Sequence, residues 1–350
     1  MKQSNFRLFF ARFTRGAKQF TWGGEWALSL SGQVKHNLSW FFMDGLFATA
    51  SDNITITYLT LYLLALGATR EQIGLLSSFS SLAAALMLLP GALLVERVGH
   101  RKEITVLSGG MLTRSVLLIL ALLPLFLGGQ GLVWTAIALA VLRDAGANLS
   151  FPAWISMTGE MVPLEGRGRY FGSRNFIYGI VGMAVILLSG ELITRMGPPQ
   201  GYQVALAAAF VIGSGATYSF WRLKDPRAGA PVRVETGMSV KAALKDIWAH
   251  PAFVALCLVM GLWNFSINIA GPFFNVRMVQ DLKFTATMVG LSGISSTISS
   301  LLVQRKMGEI ADRLGPRRVM MLCMLLIPFL PAAWVWITEF WQVALLNIFT

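Results

Sequence analysis

Apolar runs of membrane-spanning length recur regularly along this chain, separated by short connections that hold nearly all of its charge. A membrane-crossing helix needs ~20 mostly apolar residues. Nine stretches meet that length, at about 38–66, 74–95, 104–127, 131–153, 171–194, 203–221, 252–276, 286–304 and 319–338. The run from Phe340 to Thr350 is too short to cross and reads as the start of a tenth span in a truncated chain. The expected fold class is therefore all-α, a polytopic membrane protein. Only 13% of the 350 residues are charged and mean hydropathy is +0.61, against about 25% charged in soluble proteins. That excludes a soluble globular enzyme, a disordered chain and a fibrous repeat. The first apolar span starts too late and runs too long for a cleavable signal peptide.

A net charge of +12 would suggest nucleic acid in a soluble protein. Here it reads as topology. Of the 29 basic residues, the odd-numbered connections hold only Arg70, Arg195, Arg277 and Lys283, and Arg114 and Arg143 fall within spans. The rest lie in the N-terminal segment and the even-numbered connections, Arg174 among them, which predicts a cytoplasmic N-terminus and a plasma-membrane protein without nucleic-acid partners. Residues 1–35 form a basic segment in which Phe6, Phe9, Phe10 and Phe13 recur at helical spacing among Arg7, Arg12, Arg15 and Lys18. This pattern predicts a helix lying on the inner leaflet, in contact with membrane lipids. The Pro- and Gly-containing stretch 222–250 is the one plausible linker. It divides an N-terminal six-helix bundle, 36–221, from an incomplete C-terminal bundle, 251–350.

The two halves carry related sequences. Val95-Glu96-Arg97-Val98-Gly99-His100-Arg101-Lys102 follows the second span, and Gly308-Glu309-Ile310-Ala311-Asp312-Arg313-Leu314-Gly315-Pro316-Arg317-Arg318 follows the eighth. Glu96 aligns with Asp312, Arg97 with Arg313, Gly99 with Gly315 and Arg101 with Arg317 at one constant offset. A six-helix unit repeated in parallel accounts for this. Glycine at 99 and 315 suits a tight turn that a Cβ would obstruct. A carboxylate at a helix end can pair with a nearby Arg.

This arrangement resembles the major facilitator superfamily of secondary transporters, from about residue 36 to the end. The second copy matches the family's G-x-x-x-D-R-x-G-x-R-R signature throughout; in the first, Glu96 stands for Asp. The resemblance implies two rocking bundles and alternating-access transport of a small molecule. It also implies a conformational latch built from Glu96, Arg97, Gly99, Arg101, Asp312, Arg313, Gly315 and Arg317. A second acidic-Pro-Arg-Gly-Arg signature, Glu160 to Tyr170, follows the fourth span. The fifth span lacks the Gly-Pro-x-x-Gly-Gly run of drug/proton antiporters.

Ionisable groups inside a span cost at least ~2.5–3.5 kcal/mol and usually face a cavity or a partner. Asp44 lies about 9 Å in from the cytoplasmic start of its span and Arg143 about 12 Å from the same face, so the two are expected to meet. Asp44 or Asp144 is the expected protonatable group, tuned by Arg143, and protons are the expected coupling ion. Asp52 and Asn53 are expected at the substrate. Arg114, in a span that the family places at the periphery, is expected to pack or snorkel. In the seventh span, Asn264 and Asn268 share a face, with a helix break expected at Gly271-Pro272 as a substrate-site or gate candidate. No metal-ligand spacing, phosphate-binding glycine loop or nucleophile–base set is present, so no cofactor, metal or enzymatic reaction is expected. A non-transporting sensor or a lipid-handling protein on the same fold are the alternatives.

Overall fold

The computed structural model describes residues 30–227, 246–326 and 329–347, with 267–268, 301, 304–309, 311–314, 316–317, 320 and 326 described by backbone alone. The amphipathic segment 1–29 and the linker core 228–245 lie outside the described residues. No strand occurs among the described residues, and the helices follow one another with short turns.

The first helix, α1 (Gly32–Ala65), begins where the Ser31 hydroxyl accepts from the Val34 N–H. It stops at Gly67, whose φ of 94° takes the chain out of the helix. The start of α2 (Arg70–Val98) is fixed by a reciprocal cap. The Thr69 hydroxyl accepts from the Gln72 N–H at 3.3 Å, and the Gln72 amide accepts from the Thr69 N–H at 2.9 Å. Such a box satisfies donors that a helix start leaves open. Helix α3 (Arg101–Leu125) departs from α geometry over the π turns Thr105–Leu112. There Gly109 and Gly110 sit against Ser150 and Thr217, which leaves no room for a Cβ. The half is completed by α4 (Gly129–Met161), α5 (Arg167–Met196) and α6 (Gln200–Trp221). Then come α7 (Pro251–Val276), α8 (Ala286–Leu314), α9 (Pro316–Leu326) and, after a short helix at Phe329–Ala333, α10 (Phe340–Leu346).

Six of these helices, α2 through α7, are long and apolar enough to cross a membrane. Helix α1 has 34 residues and α8 has 29, but α1 carries Asp44 and Asp52 and α8 is rich in Ser and Thr. In the stretch 319–338, expected as one span, an apolar helix runs over Met321–Trp336, with residues 327–328 outside the described residues and a 3-10 turn at Trp334–Trp336. The expected break at Gly271-Pro272 is absent. Helix α7 runs through Pro272, and the irregular turns come after it, at Arg277–Asp281. One proline removes a single backbone donor, a loss that packed membrane helices tolerate.

Two cores hold the bundle. At the end where α1 finishes, here the far end, one cluster includes Tyr58, Tyr62, Ile186 and Ile193 of the first half with Val276, Val289 and Ile294 of the second. At the end where α1 begins, Leu38, Phe41, Met157, Tyr170 and Phe220 form a second cluster that belongs, among the described residues, to the first half alone. Helix α5 packs on α8 and α2 on α7. Glycine makes the first contact possible, since a Cβ on Gly190 would fall 3.1 Å from the Thr287 Cα, and one on Gly290 2.6 Å from the Tyr58 hydroxyl. The far-end link is also polar. Arg70 Nη2 lies 2.5 Å from Asp281, and Thr194 and Thr287 share a hydrogen bond of 2.9 Å.

Candidate functional site

A cavity of about 460 Å³ opens between α1, α3, α4, α5 and α6 of the first half. Its polar lining comes from residues that are rare in apolar helices: Asp44 and Asp52 on α1, Arg114 on α3, Arg143 on α4, and Arg174 with Tyr178 on α5. Charge placed so deep is costly unless paired or solvated in a cavity, and most of it is paired. Arg114 Nη1 donates to Asp52 Oδ1 at 2.6 Å and to the Ser51 hydroxyl at 3.1 Å. Arg143 Nη2 lies 3.8 Å from the same Asp52 oxygen, while its Nη1 donates to Asp144 at 2.9 Å. One carboxylate thus bridges two guanidinium groups.

Both guanidinium groups at the flanks are seated by glycine. A Cβ on Gly213 of α6 would meet Arg114 Cδ at 2.5 Å. A Cβ on Gly45 of α1 would strike Arg174 Nη2 and the Tyr178 hydroxyl. In that slot Arg174 Nε donates to the Tyr178 oxygen at 2.8 Å, and the Tyr178 O–H donates to the Phe42 carbonyl at 2.6 Å. The guanidinium stacks on the Phe41 ring. Arg174 forms no ion pair with a described residue, and neither does the buried Asp44.

The expected residues therefore divide. Asp44, Asp52, Asn53 and Arg143 all line the cavity. Asp144 lines a neighbouring one of about 390 Å³, which Arg143 also borders and to which α7 contributes Gly271, Pro272 and Asn275. The expected meeting of Asp44 with Arg143 does not occur: Asp52, two turns further along α1, holds Arg143, and Asp44 sits beside Gly45 and the Arg174 slot. Depth alone could not separate the carboxylates, because the direction in which each α1 side chain points decides the partner. Arg114 does not snorkel. It is 8% exposed and turned inward, because Asp52 and Ser51 offer it acceptors. Asn264 is exposed and donates to the Met260 carbonyl of its own helix. The Asn268 side chain lies outside the described residues.

A second charge cluster sits at the N-terminal end. Arg101, 4% exposed, reaches Asp225 at 2.5 Å, the Ser156 hydroxyl at 3.0 Å and Glu160 at 3.2 Å. Arg227 closes on Glu160 at 2.6 Å. Arg101 thereby ties the start of α3 to the end of α4 and the segment after α6. Gly99 and Gly315 adopt the left-handed conformation, at φ 70° and 84°. Glu96 and Arg97 are exposed and form no ion pair with a described residue. The side chains of Asp312, Arg313 and Arg317 lie outside the described residues.

Sequence reasoning missed Arg174 as a cavity residue by counting it with the connection before its span. The signal was present, for Arg174 and Tyr178 are four apart on one helix face, a turn inside the span's start. Asp225, at the edge of the linker, carried no sequence signal.

Residues 41–350 match the family model described as Major Facilitator Superfamily. Over 205 residues the chain is 27% identical to YuxJ of Bacillus subtilis (strain 168), named an uncharacterized MFS-type transporter. That match covers 55% of this chain and 49% of the relative, so it spans about half the length of the curated protein.

Proposed function

We propose that this chain, which belongs to the major facilitator superfamily, moves a small molecule across the plasma membrane by alternating access. It is an integral membrane protein of a transporter family, by the family match and the apolar helices. The observation that carries alternating-access transport is the charged cavity between apolar helices, with paired and unpaired groups side by side. A cytoplasmic N-terminus and a six-helix bundle followed by a second, related bundle complete the reading, supported by the distribution of Lys and Arg. With that orientation the far end faces outward. The shared core there, with the Arg70–Asp281 link, supports a state closed to the outside.

Proton coupling is part of the proposal. Asp44 is buried, lines the cavity and has no ion-pair partner among the described residues, so a proton can come and go there without a salt bridge to break. The motif residues act as the latch. Arg101 holds three segments at one end, and the two motif copies turn at Gly99 and Gly315.

The test is flux of a compound library in proteoliposomes with and without a pH gradient. Substrate flux that responds to the gradient and loses the response in Asp44→Asn is the expected result. Flux indifferent to the gradient and to both Asp44→Asn and Asp144→Asn ends the coupling proposal. Ligand binding without flux for any compound ends the transport proposal and favours a sensor.

A further inference from the structure

We infer that the cavity recognises a compound with one carboxylate on an apolar, aromatic-sized body, and that Asp52 occupies the carboxylate's place when the cavity is empty. This rests on the proposed transport function and names its substrate class.

The ion pairs in the cavity are asymmetric. The Arg114 and Arg143 side chains are 10% and 14% exposed, whereas the Asp52 side chain is 39% exposed. The two cations are fixed. Arg114 is wedged past Gly213 and anchored to Ser51, and Arg143 is anchored to Asp144. The carboxylate between them is the accessible member and can be exchanged. It also satisfies them poorly, since a single oxygen, Oδ1, serves both, at 2.6 and 3.8 Å. Each guanidinium has five N–H donors suited to two-point carboxylate contacts, and the Nε atoms of both are buried without a hydrogen-bond partner among the described residues. A free carboxylate between them can use both its oxygens, which the tethered Asp52 does not.

Charge sets the number of anionic groups. Asp144 balances one of these two cations and Asp52 the other. Turning Asp52, still charged, toward the water of the open cavity frees one guanidinium position, which one carboxylate fills. The body of the ligand meets the aromatic wall. Phe151 and Trp154 stack with ring centroids 6.1 Å apart on the α4 side, and Phe220 faces in from α6. A cationic ligand would stand beside Arg114 and Arg143 while displacing neither, and a neutral one would leave Asp52 in place and gain no ion pair.

The test is calorimetric binding to the purified full chain in lipid nanodiscs, without any gradient. The probes are benzoate and 4-phenylbutanoate with their matched carboxamides and ammonium compounds. The expected result is carboxylate binding at least tenfold tighter than that of either counterpart. Arg143→Gln is expected to remove that preference and Arg143→Lys to restore part of it. Asp52→Asn, which removes the internal competitor at the exposed partner, is expected to tighten carboxylate binding at least threefold. A merely structural role for these residues would weaken all probes alike and leave the ratio unchanged. The inference is overturned if neither carboxylate binds, if the amide or ammonium binds equally well, or if Asp52→Asn and Arg143→Gln leave the ratio intact. Flux of a cation or neutral compound, with no carboxylate preference, would overturn it while the transport reading stands. The expected binding pattern without flux of any compound would overturn transport and leave the anion site standing.

Discussion

Arg174 holds its guanidinium carbon 4.1 Å from the Phe41 ring centroid, in a space that exists because residue 45 has no side chain. Cation–aromatic stacking away from water contributes about 2 kcal/mol, so a buried cation without an ion-pair partner is still held. Gly45→Ala drives a methyl group into that space. We expect it to destabilise the fold by about 1–3 kcal/mol, the usual cost of overpacking. Arg174→Ala in the same chain should recover part of the loss, the contact with Tyr178 remaining. Thermal unfolding of both single variants and the double variant checks this: strict additivity would show that Gly45 and Arg174 do not compete for space.

Arg101 and Arg227 both touch Glu160, yet they should differ sharply when truncated. The Arg101 side chain is 5% exposed and also serves Asp225, whereas that of Arg227 is 67% exposed. Removing a buried partner strands charge and costs about 3–5 kcal/mol. Removing a surface one costs about 0–1 kcal/mol. Arg101→Ala should therefore lower the unfolding temperature severely and Arg227→Ala barely, as read by the same thermal assay. Equal effects would show that the cluster is solvated throughout.

Gly99 ends α2 at φ 70°, and its N–H reaches the Val95 carbonyl at 2.9 Å. A Cβ there costs about 1–2 kcal/mol, and asparagine bears the conformation better than alanine. Gly99→Ala should thus be less stable than Gly99→Asn by melting temperature, whereas a plain solvated loop would favour neither.

How much of this could be read in advance depended on the kind of interaction. Helices α2 to α7 were legible because hydrophobic length is a local property, and Gly99 and Gly315 because a left-handed turn selects its residue. Over 319–338 the apolar helix Met321–Trp336 was legible for the same reason as α2 to α7, though it ends in a 3-10 turn at Trp334–Trp336 that apolar length does not signal. Asp44, Asp52 and Arg143 were legible as residues that line one cavity, since charge inside an apolar run has few uses. Their pairing was not. Whether Asp44 or Asp52 meets Arg143 depends on rotation about α1 and on the slots opened by Gly45 and Gly213, which lie on other helices from the arginines they seat. Arg114 shows the same limit, because snorkelling and inward pairing share one sequence pattern.

Arg70 and Asp281 join the first half to the second at the far end, with side chains 55% and 42% exposed. So exposed a pair contributes at most about 1 kcal/mol, too little to hold the fold but enough to shift a two-state equilibrium about fivefold. Arg70→Asp or Asp281→Arg alone should part the far ends more often, and the double exchange should restore closure. The reporter is a cysteine placed by Thr287→Cys, at the contact with Thr194, after Cys257 and Cys323 are changed to serine. A membrane-impermeant maleimide added outside should label it up to about fivefold faster in either single variant and at the original rate in the double. Unchanged labelling in the single variants would show that the link plays no part in closing the far end, and a double variant as fast as the singles would show that charge complementarity is not what closes it.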